Sequence, residues 1–231
     1  MTVFKYAMMR GLKNPTSMIV NCALPIILVI TNAGVDFGTG FEHRSLFLIA
    51  MLIMFGAFVM ARSIQLDKME GTVIRILAGP VTMRSYLVQN FLSAMVPMAA
   101  LSVAIGAIGI IVHSWEVAFA VALALCYSFL AASSIGLSFV WSCIFKDREA
   151  SFAVMSVLLS AISMVSGLFL PLAILPDFFR MFGAIFPAHW AARGMEAFIA
   201  YGMNTEFWLS LLAMLLFTVA FLLYGGKRRI V

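Results

Sequence analysis

Six runs of mostly apolar residues, at about 16–33, 45–61, 90–112, 117–145, 150–170 and 207–224, leave this 231-residue chain few ways to fold. Each is near the roughly 20 residues that a helix needs to cross hydrocarbon. At lipid depth every backbone N–H and C=O must be bonded within the structure, so only helices or closed barrels span. These runs are continuous rather than alternating, which excludes barrel strands. The expectation is an all-α integral membrane protein of six transmembrane helices, forming one transmembrane domain over residues 1–231. Hydrophobic residues make up 64% of the chain and charged residues 11%. Soluble domains carry roughly 25% charged residues, so a soluble globular protein is excluded.

The cations orient the spans. Lys5, Arg10, Lys13, Arg62, Lys68, Arg75, Arg84, Lys146, Arg148, Lys227, Arg228 and Arg229 fall before the first run or in every second connection after it. The other connections hold only Arg44, Arg180 and Arg193. Lys and Arg are retained on the cytoplasmic side, so both termini are expected there, in agreement with an even number of spans. The net charge of +5 is thereby read as membrane orientation and lipid-phosphate contact, with no nucleic acid as partner. The expected location is multi-pass in a cell membrane, the bacterial cytoplasmic membrane. Cys22, Cys126 and Cys143 sit in or beside apolar runs without metal-ligand spacing and read as small hydrophobes. The first run follows a basic lead without a small-residue cleavage site, so no cleavable leader is expected.

The connections differ in kind. Residues 3–12 read as an interfacial helix with a modest amphipathic pattern. Residues 62–89 form the longest cytoplasmic connection. Within it, Gly71 breaks the segment, Thr72 can cap a short helix with Val73, Ile76 and Leu77 on its apolar side, and Gly79-Pro80 ends that helix. Two readings fit: a platform for a soluble partner, or a solvated loop along the headgroups. Between the fifth and sixth runs, residues 171–206 contain Pro171, Pro176 and Pro187 around an apolar stretch too short to cross. That pattern reads as a re-entrant or interfacial outer hairpin. It carries Asp177, Arg180, His189, Arg193 and Glu196; Arg193 and Glu196 stand three apart and can pair. His189 beside Trp190 resembles an interfacial belt, not a metal site.

Inside the spans, Pro25 is expected to kink the first helix, and Asn21 is the one amide at depth. Ser156, Ser160, Ser163 and Gly167 recur at steps of four, three and four, and Ser134, Ser138 and Ser142 do the same in the fourth span. Such stripes serve close helix packing or line a hydroxyl-bearing pathway. No phosphate-binding loop of the form GxxxxGK[ST] is present, nor HExxH, nor GxSxG. The chain is therefore not expected to be an enzyme or to bind a cofactor itself. Every Asp and Glu is placed in a loop or at a span end, so ion coupling through intramembrane carboxylates is absent from this reading.

The segment Glu70-Gly71-Thr72, then Leu77 and Pro80, resembles the inner-loop signature of type 2 ATP-binding-cassette permeases. A second likeness runs from Pro171 through Pro176 and Asp177 to Arg180, then Phe186-Pro187-Ala188-His189-Trp190 and Arg193. It is similar to the family's outer segment, although His189 stands where the family more often has Thr. The lead helix is shorter and less amphipathic than in polysaccharide-exporting relatives. The resemblance implies a dimeric permease, homo- or heterodimeric, with two copies of an ATPase subunit that hold ATP and magnesium. It implies an ATPase-coupling loop containing Asp67, Glu70, Gly71, Thr72, Arg75, Leu77 and Pro80. It also implies a pathway or dimer seam near Asn21, Pro25, Ser156, Ser160 and Ser163, with Pro171, Pro176, Pro187, His189, Arg193 and Glu196 in the outer hairpin. The expected activity is export of a small amphipathic molecule such as a drug or antimicrobial peptide. The alternative is an ATP-independent carrier or channel.

Overall fold

The computed structural model describes residues 4, 6–9, 15–32, 44–61, 65–67, 70–79, 82–145, 147–169, 172 and 176–227. Among them every regular element is a helix. We label them α1 (Pro15–Asn32), α2 (Arg44–Ala61), α3 (Thr72–Leu77), α4 (Met83–His113) and α5 (Val117–Ile144). There follow α6 (Arg148–Val165), α7 (Asp177–Gly183), α8 (Pro187–Tyr201) and α9 (Thr205–Lys227). A helix stands at each of the six apolar runs. Four are long and apolar enough to cross a membrane: Ser45–Asp67, Met83–His113, Val117–Ile144 and Thr205–Gly225. Asn21–Thr31 and Glu149–Val165 are shorter apolar helices.

Two boundaries differ from expectation. The third long helix begins at Met83, not near residue 90. Thr82 caps it, its side chain accepting from the Ser85 N–H at 3.3 Å. Tyr86 and Leu87 are buried in its first turns, so the polar start conceals a packed face. At 31 residues α4 is about 46 Å long, more than the hydrocarbon needs. By contrast α6 stops at Val165, and Gly167 follows with φ +91°, off the helix. Gly167 therefore does not continue the serine stripe. The Ser163 carbonyl instead accepts from Leu168 and Phe169 N–H groups at 3.1 Å, closing the helix end.

The central helix is α5, packed against α4, α9, α2 and α8. Lipid and apolar side chains are alike in polarity, so helices associate through close packing of small residues. Accordingly α5 buries Ala131, Ala132, Ser133, Ser134, Gly136 and Ser138 in one stretch. A Cβ on Gly136 would stand 3.1 Å from Phe221 of α9, and one on Gly106 of α4 would stand 3.0 Å from the Ala120 carbonyl of α5. The hydroxyls of Ser134, Ser138 and Ser142 bond carbonyls of their own helix at 2.8 Å. Cys126 is buried and Cys22 and Cys143 half-buried, and the Cys143 thiol donates to the Phe139 carbonyl at 3.4 Å.

Contacts sort the connections onto two ends. At one, the Phe4 N–H donates to Gln89 Oε1 at 3.1 Å, the Tyr86 hydroxyl donates to Asp67, and Trp141 Nε1 donates to the Ser151 carbonyl at 3.2 Å. At the other, His113 Nε2 donates to the Val29 carbonyl at 2.8 Å, and Trp115 meets Phe119 edge-on while Phe119 meets Phe198 at a tilt. The length of α4 separates the two sets. The segment containing α7 and α8 thus lies at the end opposite α3.

Candidate functional site

The first cluster surrounds α3. Gly71, not Thr72, is its N-cap, in a left-handed conformation with φ +67° and no side-chain cap bond. Glycine accepts that backbone conformation at no steric cost, which leaves Thr72 as the first helical residue. Val73 is buried while Glu70, Ile74 and Arg75 are exposed. The short helix is thus held by one side and offers charge and an isoleucine on the other. The helix gives way to the Ala78–Gly79 turn, whose N–H groups donate to Ile74 and Ile76 carbonyls at 3.0 and 3.2 Å. The Leu77 side chain and Pro80 lie outside the described residues.

Asp67, assigned to the cytoplasmic connection by the sequence, is buried. It is 5% exposed, and its Oδ2 accepts from the Tyr86 hydroxyl at 2.6 Å. Tyr86 is fully buried in α4. This carboxylate fixes the entry to α3 against a long helix and is not available at the surface. No sequence pattern connected positions 67 and 86, because the bond crosses two elements.

The expected pathway residues fall into separate surroundings. Asn21 faces Gly56 of α2 and Met98 of α4: a Cβ on Gly56 would meet Asn21 Cβ and Met98 Sδ at 3.8 Å each. Its buried Nδ2 has no hydrogen-bond partner among the described residues. Pro25 is buried one turn further along α1. Ser156, Ser160 and Ser163 each donate to a carbonyl one turn back in α6, at 2.8–2.9 Å. Ser163 is buried while Ser160 is exposed. Within one chain α1 packs on α2 and α4, whereas α6 packs on α7, α2 and α8, so the amide and the hydroxyls are not brought together.

The second cluster is at the opposite end. Pro176 precedes α7, and Pro187 occupies the first turn of α8, where its missing N–H costs nothing. Pro171 lies outside the described residues. Between α7, α8 and the start of α9 is an open cavity of about 850 Å³. Arg180 pairs with Asp177 at 3.6 Å. Arg193 pairs with Glu206 of α9 at 3.9 Å and not with Glu196, correcting the three-apart expectation. Glu196 turns to the linker and accepts from the Leu172 N–H at 3.4 Å. His189, read beside Trp190 as part of an interfacial belt, is only 7% exposed, with its ring edge-on to Trp190. Its Nδ1 is buried without a partner among the described residues. Burial, and the Arg193 and Arg180 guanidiniums nearby, push the imidazole pKa below its usual value. Among the described residues no group of three or more His, Cys, Asp or Glu is placed to hold a metal ion.

Two charged clusters thus cap a bundle of small-residue helix contacts, and the sequence of the whole decides what the bundle is. The profile of the ABC-2 type transporter family matches residues 1–199. The chain belongs to the ABC-2 type transporter family. It is a multi-pass membrane permease, and permeases of this family work with an ATPase subunit instead of hydrolysing ATP themselves. No curated protein matches the chain. In the permease the match takes in α3 and both prolines of the described α7–α8 segment.

Proposed function

We propose that this permease is the membrane half of an exporter, which pairs with a second permease chain and with two copies of an ATPase subunit. The ATPase subunits hold ATP and magnesium. All six apolar helices cross the bilayer, with both termini and α3 on the cytoplasmic side, and α7 and α8 form an interfacial hairpin on the outer side. The segment from Asp67 to Pro80 receives the push of the ATPase, with Glu70 and Arg75 meeting it. The observation that supports this reading is the fastening of α3's approach to α4 through Asp67 and Tyr86. A load applied to exposed Glu70 or Arg75 then reaches a helix that runs through to the far end of the bundle. A loop lying loosely along headgroups needs no such bond.

Between two copies, the exposed flank of α6 with Ser160, Val157 and Met164 and the exposed face of α1 with Leu24 and Ile27 supply the seam. The substrate class that fits apolar, hydroxyl-bearing walls is a small amphipathic molecule, such as a drug or antimicrobial peptide. Co-purification in mild detergent tests the assignment. Wild-type permease should bring down an ATPase that carries a phosphate-loop motif. The double variant Glu70→Lys/Arg75→Glu should recover at least tenfold less of it at an unchanged yield of folded permease. Equal recovery contradicts the placement of the contact.

A further inference from the structure

The cavity between α7 and α8 has no task in energy coupling, and its chemistry is specific. Two guanidiniums border it, Arg180 from α7 and Arg193 from α8. Among the described residues each has one long ion pair, to a carboxylate that is itself well exposed, Asp177 at 3.6 Å and Glu206 at 3.9 Å. Exposed, single-contact pairs of this kind contribute little, so an incoming anion can take the guanidiniums over. Once displaced, Asp177 and Glu206 become free anions at the same mouth. Arg193 is meanwhile aligned by stacking over Trp190, 5.8 Å from the ring centroid. Burial first, and then the nearby guanidiniums of Arg193 and Arg180, lower the pKa of His189 on that wall.

A ligand that satisfies this arrangement carries both signs. A simple anion would leave the displaced carboxylates facing it, and a simple cation would face the arginines. The cavity wall also continues into an apolar surface. Met181 borders the cavity and is 80% exposed, and beside it Phe178, Phe182 and Ile185 are exposed as well, with Phe178 and Phe182 stacked. A charged mouth beside exposed aromatic and aliphatic side chains matches the headgroup level of a bilayer. We infer that the α7–α8 cavity binds the zwitterionic phosphoester headgroup of a phospholipid, its phosphate between Arg180 and Arg193 and its ammonium on Asp177 and Glu206. The acyl chains then lie along the Phe178–Phe182 face. The shared chemistry is an amine-bearing phosphoester, and the apolar wall assigns it to a lipid over a soluble molecule.

Native mass spectrometry of the full-length permease in detergent tests this, with phosphatidylethanolamine and phosphatidylglycerol of matched chains as probes. Wild-type protein should retain phosphatidylethanolamine with about a tenfold lower Kd than the Arg180→Gln/Arg193→Gln variant, the scale of losing charge-assisted bonds to phosphate. The Asp177→Asn/Glu206→Gln variant should shift preference toward phosphatidylglycerol several-fold. That change of selectivity does not follow from a loss of folding. Should the arginine variant prove unstable in a melting assay, the carboxylate variant, changed at exposed positions, decides alone. Equal retention of both lipids by wild type and the carboxylate variant overturns the proposal. Displacement of the lipid by an equal concentration of soluble glycerophosphoethanolamine overturns the lipid assignment and gives the site to a soluble zwitterion.

Discussion

Tyr86 and Asp67 are joined by a 2.6 Å hydrogen bond in which the phenol donates, and neither side chain is exposed to solvent. The bond links the chain leaving α2 to the first turns of α4. Three residues on, the Gln89 side chain takes the N–H of Phe4 and donates its own amide to Ser85 Oγ at 2.9 Å. The lead segment, the approach to α3 and the start of α4 therefore form one bonded corner. On the proposed reading, a displacement of α3 passes to α4 through this corner.

Removing the phenol tests the corner. Tyr86→Phe keeps the ring and its packing but deletes the bond to a buried carboxylate. The expected cost is about 1–2 kcal/mol of stability. Transport per ATP hydrolysed should fall more than the melting temperature would explain. Thermal melting in detergent and coupled transport in vesicles measure the two effects separately.

Two glycines are required for different reasons, one for space and one for backbone conformation. A Cβ on Gly109 would run into the Trp115 ring, which folds back over the α4–α5 turn. Gly109→Ala should therefore lower stability by about 1–3 kcal/mol, although alanine favours the helix by about 1 kcal/mol. Gly71 has open space around its Cβ position but φ +67°. Gly71→Ala should cost only about 1–2 kcal/mol, from the left-handed backbone alone. Melting of the two variants checks the order.

On α6 the serines separate packing from pathway. Ser163 is fully buried, so Ser163→Leu should destabilise the fold by about 1–3 kcal/mol through overpacking. Ser160 is exposed in the single chain, so Ser160→Leu should leave its melting within about 0.5 kcal/mol. If α6 lines the seam, Ser160→Leu should still reduce transport and the dimer fraction seen by size-exclusion chromatography with light scattering.

His189 gives the fold a pH dependence with a definite sign. Its folded-state pKa is lowered, while the unfolded chain titrates near the usual value of about 6.5. Between those two values the unfolded state binds more protons, so stability falls as pH drops through about 6.5 toward the folded pKa. Above 6.5 the contribution is complete. Melting of wild type should decline from pH 7.5 to pH 5.5, and His189→Gln should flatten the part of that decline due to this imidazole.

Much of the fold was readable because lipid imposes strict demands. Continuous apolar length located helices at all six runs, and proline placement located the starts of α7 and α8. The Glu70-Gly71-Thr72 pattern and the proline-bounded segment carried the family likeness that the match over residues 1–199 bears out. Tertiary pairings were not readable. Asp67 looks like a loop carboxylate until Tyr86 comes beside it, and Arg193 looks matched to Glu196 until the turn at Gly202 brings Glu206 alongside. The start of α4 was missed because Arg84 and Gln89 give its first turns a polar composition while Tyr86 and Leu87 face inward. The cavity is bordered by five charged side chains, Asp177, Arg180, Arg193, Glu196 and Glu206, contributed by three helices, and no local pattern encodes that.

ATP-driven transport into inside-out proteoliposomes holding the permease and its ATPase tests the central claim most directly, with Glu70→Ala compared against wild type. The variant should still hydrolyse ATP in the complex while its transport falls at least tenfold. Wild-type transport by Glu70→Ala, or uphill transport by the permease with no ATPase present, would contradict it.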